Sequence, residues 1–330
     1  MKKLYIHAGN HKTGTSSVQK YLFENRDLFL DKGYACFLDD HKKEEVRGNH
    51  SWWFDHSRLK NGSAYFRSGF VESLGRHSER ADNVVISSEC FSWVFDSEAL
   101  RKFAGQLCSI YDDVQVIFYI RRQDRHAVSH YQQAAKSFAE REFFVGNNGA
   151  LPDLTDNVIN YLDYYNKLGL WENAFGQGSV CFRVFDDHLA NFGVVPDFLD
   201  IIGVEPAGFP CEGARANESW GWEQTKVFRI LNNLGIRHQS ELGKSIKKYL
   251  DGHGKLLPTR SEAKDFLRFF DDSNSMLAEK LGYEDHQPLF ENDFSFYPGS
   301  SQDFFDEESA NKAIENLSKG FLDYINGYKK

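Results

Sequence analysis

The stretch LYIHAGNHKTGTSSVQKYL, residues 4–22, constrains the fold of this chain more than any other. An apolar run too short for a helix (residues 4–7) leads into a loop bracketed by Gly9 and Gly14, and an amphipathic helical pattern follows at once. That is a strand-loop-helix unit, and similar units recur. β-rich runs stand at residues 34–38, 84–87, 114–120 and 179–185, several of them apolar throughout, as strands covered on both faces are. Helical patterns at 16–30, 97–111, 125–139 and 158–171 lie between them. The alternation predicts an α/β, P-loop-like three-layer fold: a central parallel sheet of about five strands flanked by helices.

After residue 185 only helical patterns remain, at 195–202, 218–234, 240–250, 261–281 and 307–328, with YPGSS as a breaker before the last. The expected organisation is a single domain over 1–330. Its α/β core covers 1–190, a helical part over 191–285 packs on the sheet and roofs its ligand cleft, and 286–330 forms an acidic extension.

Charge narrows the function classes. The net charge is −9, and residues 284–330, with ten acidic and four basic side chains, supply −6 of it. The rest is close enough to neutral to take a small anionic ligand, while a nucleic-acid surface would need clustered Lys and Arg. Cys36, Cys90, Cys108, Cys181 and Cys211 are odd in number and widely spaced, which reads as reduced thiols in a cytoplasmic protein. No CxxC or Cys/His cluster has zinc spacing, so no metal is expected. Lys2 and Lys3 resemble the start of a signal peptide, but the apolar run after them ends at His7. No window suggests a membrane span.

The first loop carries the strongest chemistry. A glycine-bent loop between a strand and a helix converges backbone N–H groups and a helix N-terminus on an anion. Lys12 adds a point charge and Thr13, Thr15, Ser16 and Ser17 add hydroxyls, so residues 9–17 are suited to phosphate or sulfate. A kinase loop, GxxxxGK[ST], has its lysine after the second glycine; here Lys12 precedes Gly14.

Two further strand ends carry functional side chains. VQVIFYI ends in Arg121 and Arg122, and Ser129 follows in the next helix, so a guanidinium fork and a hydroxyl can close on one phosphate. NVVISSE delivers Glu89, which accepts a proton from an attacking hydroxyl, caps the next turn, or pairs with Arg121 or Lys12. His50, in GNHSWWF, is the rival base, and Trp52, Trp53 and Phe54 beside it form either a wall for a sugar ring or part of the core. His7 and His11 flank the loop in positions suited to hold it. In ARANESWGWEQ, Arg215 and Asn217 precede a helix, where Asn217 serves equally as an N-cap.

The HKTGT loop, with the Arg121 and Ser129 pair, resembles the sulfotransferases that use 3′-phosphoadenosine 5′-phosphosulfate (PAPS), in particular bacterial and carbohydrate-type members. The likeness covers about residues 1–285, more weakly after 235. It implies that residues 12–17 bind the 5′-phosphosulfate and that Arg121 and Ser129 bind the 3′-phosphate. It also implies that Arg215 or Asn217 contacts the nucleotide from the helical part, and that 3′-phosphoadenosine 5′-phosphate (PAP) is the product. A glutamate at position 89 matches the general base of several carbohydrate enzymes, which favours a glycan or glycoconjugate hydroxyl, or an amine, as acceptor. The segment RKGxxGDWKN, which closes the cofactor site in cytosolic eukaryotic members, is absent. Two other classes stay open: a nucleotide-dependent phosphotransferase with Glu89 near its metal, and a non-catalytic nucleotide-binding protein.

Overall fold

In the computed structural model, which describes residues 1–38, 50–57, 62–136, 149–205, 220–284, 287–300 and 306–327, the apolar runs form a parallel five-stranded sheet ordered β2-β5-β1-β6-β7. The strands are β1 (Lys3–His7), β2 (Tyr34–Cys36), β5 (Asn83–Ser87), β6 (Asp113–Ile120) and β7 (Val180–Val184). β3 (Phe54–Asp55) and β4 (Tyr65–Phe66) make a separate antiparallel hairpin. Central β1 pairs with β5 on one side and β6 on the other, Lys3 lying opposite both Asn83 and Asp113. The strand order therefore reverses at β1, and in such sheets ligands bind beyond the carboxyl ends of the strands at that switch point.

The helices are α1 (Thr15–Glu24), α2 (Arg26–Asp31), α3 (Phe70–His77), α4 (Ser97–Cys108), α5 (Gln123–Ala134), α6 (Asp156–Leu162), α7 (Tyr164–Phe175), α8 (Asp187–Phe192), α9 (Val194–Ile202), α10 (Trp222–Asn233), α11 (Glu241–Lys247), α12 (Arg260–Arg268), α13 (Asp271–Lys280) and α14 (Glu307–Gly327). One sheet face buries Tyr5, Val85, Ile117 and Tyr119 against Val18 and Leu22 of α1 and Phe198 and Leu199 of α9. On the other face Phe118 meets the Trp171 ring of α7 edge-on at 5.4 Å, and Trp171 also meets Phe91 at 6.1 Å. Alternate residues of β6 thus supply two cores, the signature of a sheet covered on both sides.

Three expected helices are each split in two. The pattern over 16–30 breaks at Asn25, whose side-chain amide donates to the Tyr21 carbonyl at 3.0 Å and ends α1. The pattern over 158–171 breaks at Asp163, which caps α7 by accepting from the Asn166 N–H at 3.1 Å. The pattern over 261–281 divides between Arg268 and Asp271, where Phe270 is buried and Phe269 is exposed. In each case the apolar period runs through the break, so a cap or a buried ring ends the helix where periodicity does not.

The chain forms two compact units: Met1–Arg122 with Ile159–Arg215 and Phe270–Glu291, and Gln123–Val158 with Ala216–Phe269 and Asn292–Lys330. The first holds the whole five-stranded sheet, with α9 packed on α1 and α13 on α7. The second is helical: α11 packs on α14 and α5 on α12. Its apolar centres are Trp220, Phe228, Leu231 and Ile246 in one place and Val128, Ala263, Phe294 and Tyr297 in another. Helices α9 and α13, which follow residue 190, belong to the first unit, and α5, which precedes it, belongs to the second. Among the described residues no helix is long and apolar enough to cross a membrane.

Candidate active site

The loop between β1 and α1 stands at the switch point, clamped from both sides. The Ala8 N–H donates to the Ile117 carbonyl of β6 at 2.9 Å, and the Ser88 N–H beyond β5 donates to the His7 carbonyl at 3.0 Å. His7 is fully buried; its Nδ1 lies 2.8 Å from Ser87 Oγ, and desolvation pushes its pKa down to about 3, so the ring is a neutral prop. His11 accepts a hydrogen bond at Nε2 from the Trp93 indole at 2.7 Å. Both flanking histidines are therefore engaged in holding the loop.

Asn10 organises the turn. Its backbone carbonyl accepts from the hydroxyls of Thr13 (2.6 Å) and Thr15 (3.3 Å), and its side-chain amide donates to the Tyr119 carbonyl at 2.9 Å. The two threonine hydroxyls are thus turned beneath the loop, whereas Ser16 is exposed and Ser17 half-buried. Gly14 is the N-cap of α1, and α1 has no side-chain cap. The first N–H groups of a helix lack intrahelical acceptors, and a helix N-terminus with no capping side chain is an arrangement that can receive an anion.

Two glycines and one lysine set the loop's shape. A Cβ on Gly9 would lie 2.5 Å from Thr15 Oγ1, and one on Gly14, at φ 83°, would lie 2.7 Å from Val194 Cγ1 of α9. Lys12, exposed at the apex, has φ 67°. For a residue with a Cβ that left-handed conformation costs about 1–2 kcal/mol, and it persists because the Asn10 network fixes the backbone on either side.

Arg121 and Arg122 part at the tip of β6. Arg122 is buried and donates to the Glu291 carbonyl at 2.7 Å, a structural tie. Arg121 is half-buried, its carbonyl accepts from the Tyr164 hydroxyl at 2.7 Å, and its guanidinium lies 5.9 Å from the Phe185 ring. The same ring reaches within 3.5 Å of the Cβ position of Gly14. One phenyl group thus stands between the Arg121 guanidinium and the loop, and both line the carboxyl edge of the sheet. Ser129, half-buried, belongs to α5 in the helical unit. Arg215 and Asn217 lie outside the described residues.

Glu89 opens a short 3₁₀ helix, Glu89–Trp93, directly after β5. Its carboxylate accepts from the Gln19 amide at 2.8 Å, and the same amide nitrogen lies 3.3 Å from the Ser87 carbonyl. Gln19 is buried on α1, one turn beyond the loop. Anion loop and carboxylate are thereby coupled through one side chain, a link the sequence reading missed. The Glu89 backbone carbonyl accepts from Ser92 Oγ at 2.6 Å.

The rival base is packed among aromatic rings. His50 is 3% exposed, has φ 54°, and packs edge-on to Phe37 at 5.1 Å. Trp53 and Phe54 are core residues, Trp53 stacked on Phe70 at 5.3 Å. Trp52 is 45% exposed with the Arg67 guanidinium 5.0 Å from its ring. It lines an open cleft of 690 Å³ together with Asp55, Tyr65, Arg67, Glu72 and Arg76. Of the aromatic wall read from the sequence, only Trp52 presents a face to solvent.

Among the described residues no group of three or more His, Cys, Asp or Glu is placed to hold a metal ion, and Cys36, Cys90, Cys108 and Cys181 are not in disulfides.

No family model matches the chain. It is 29% identical over 253 residues to an uncharacterized protein of Archaeoglobus fulgidus, a match that covers 73% of this chain but only 65% of the length of that relative. Among solved structures it is similar to a sulfotransferase from Alicyclobacillus acidocaldarius, with 15% identity and a TM-score of 0.38 over 72% of this chain and 96% of that one. It is also similar to a retinol dehydratase solved with androsterone and the inactive cofactor PAP, with 14% identity and a TM-score of 0.22 over 97% of this chain and 81% of that one.

Proposed function

We propose that the chain is a PAPS-dependent sulfotransferase that transfers a sulfuryl group to a hydroxyl or amine of an acceptor, with carbohydrate favoured. The observation that carries this reading is the uncapped N-terminus of α1 with Lys12 at its apex, flanked across Phe185 by Arg121 and linked through Gln19 to Glu89. The donor set suits a nucleotide with two anionic ends: backbone N–H groups and an ammonium for one, the Arg121 guanidinium for the other.

PAPS supplies the activated sulfuryl group. Lys12 and the first N–H groups of α1 stabilise the charge that develops on the leaving phosphate oxygen as the bond to sulfur breaks. A sulfuryl group carries less charge than a phosphoryl group, so monovalent donors suffice at this centre. Glu89 accepts the proton of the attacking hydroxyl, and the Gln19 amide holds its carboxylate in place. Trp52, in its cleft with Asp55, Arg67, Glu72 and Arg76, offers the apolar face and the hydrogen-bonding rim that a sugar ring requires.

Titration calorimetry with PAP, against the analogue lacking the 3′-phosphate, tests the donor half of the reading. Transfer of radiolabelled sulfur from PAPS to a panel of saccharides tests the acceptor half. Mg²⁺-dependent ATP consumption without sulfur transfer would replace it with phosphotransfer.

A further inference from the structure

Lys167 of α7 is 2% exposed, and it sits directly behind the anion loop. Its Nζ donates to the Tyr161 carbonyl at 2.8 Å and to Asn10 Oδ1 at 3.2 Å. The ammonium lies 4.5 Å from the centre of the Tyr161 ring and 5.8–5.9 Å from those of Tyr164, Phe95 and Phe118, an aromatic cage that favours a cation. None of the carboxylates among the described residues pairs with it. Asp163, the acidic group that acts on it, already accepts from Asn166 and from Ser273 of α13. Lys280 of α13 is paired with Glu172, and Glu98, Arg101 and Lys102 of neighbouring α4 are exposed. From the loop side the charged and titratable groups are Lys12 and His11.

Burying an ammonium without a carboxylate partner is expensive. Desolvation accordingly pushes the Lys167 pKa down to about 7. What the buried charge touches is Asn10, the residue whose carbonyl collects the hydroxyls of Thr13 and Thr15. We propose that Lys167 is a positioning residue for the anion loop, and that it is the buried share of the loop's positive charge, taking up a proton when an anion occupies the loop. This rests on the reading of residues 9–17 as the site for the 5′ end of the nucleotide. The anion supplies from outside the field that the chain does not supply from within, and it does so through a residue fixed to both.

The test is titration calorimetry of the full chain with PAP at pH 8, in Tris and in HEPES, whose different ionisation heats reveal protons taken up on binding. With one pKa unit of coupling the wild-type protein should take up about 0.4 of a proton, a count that needs no variant. K167M should take up none, and at pH 6, where the wild-type lysine is charged with and without PAP, it should bind PAP about ten-fold more weakly, the equivalent of that one pKa unit. Loss of the uptake in K167M separates Lys167 from His11 and from the phosphates of PAP. PAP binding without proton uptake in the wild type overturns the proposal, as does K167M matching the wild type in both readouts, while the functional reading stands. Failure of PAP to bind the wild type overturns both.

Discussion

The Gln19 amide donates to the Glu89 carboxylate at 2.8 Å, from the helix that begins at the anion loop to the segment that follows β5. A donor aimed at a carboxylate favours its ionised form and is worth about 1.5–3 kcal/mol. Replacing Gln19 by Leu keeps the bulk and removes the donor. The acidic limb of the kcat/KM profile should then move up by about one pH unit, with PAP affinity little changed. A profile that does not move removes Gln19 from the orientation of Glu89.

Lys12 is exposed, so its side chain does little for folding. K12A should leave the urea midpoint within the equivalent of about 0.5 kcal/mol of the wild type, and should lower turnover by about 10²–10³-fold, the scale of one lost transition-state donor. Turnover near the wild-type value would take Lys12 out of the chemistry.

Arg121 is assigned to the 3′-phosphate alone. R121A should weaken PAP binding by about ten-fold to a hundred-fold, the worth of a hydrogen bond between charged groups. Binding of the analogue lacking the 3′-phosphate should stay as it was, and an equal loss for both ligands would contradict the assignment.

Lys167 also makes a prediction about stability without ligand. Its folded-state pKa of about 7 lies below the ordinary 10.5, so between those values the unfolded chain holds a proton that the folded chain lacks. Its contribution to stability therefore rises with pH across that window, by at most about 1.4 kcal/mol per pH unit, and levels off below pH 7. Urea midpoints at pH 7 and pH 9 should show a rise in the wild-type protein that is smaller in K167M. Equal rises would show that the ammonium titrates as if in water.

Much of this architecture was legible in the chain. Strands buried on both faces need uninterrupted apolar runs, and each of the five runs became a strand of the sheet. The bends at Gly9 and Gly14 were legible because a positive φ in close contact leaves few residue choices. The hairpin of β3 and β4 was not, since two residues per strand carry no period. Lys167 was missed for a related reason: a lysine within a helix ordinarily belongs to the wetted face, and only the tertiary fold brings Asn10 and four rings around it. Trp53, Phe54 and His50 show the converse. Their residue types suit a ligand wall, and the packing of Phe37 and Phe70 places them inside.

The strand that bears the loop lies in the middle of the sheet, and Lys3 at its start aligns with Asn83 and Asp113. Both neighbours are far downstream, so loop closure must precede any ladder bond that fixes β1, and such non-local pairing is slow. On the ribosome, β1 cannot find its place until β5 and β6, about 80 and 110 residues downstream, have been made. The loop it bears is thus synthesised before the strands that fix it and is among the last segments to take shape.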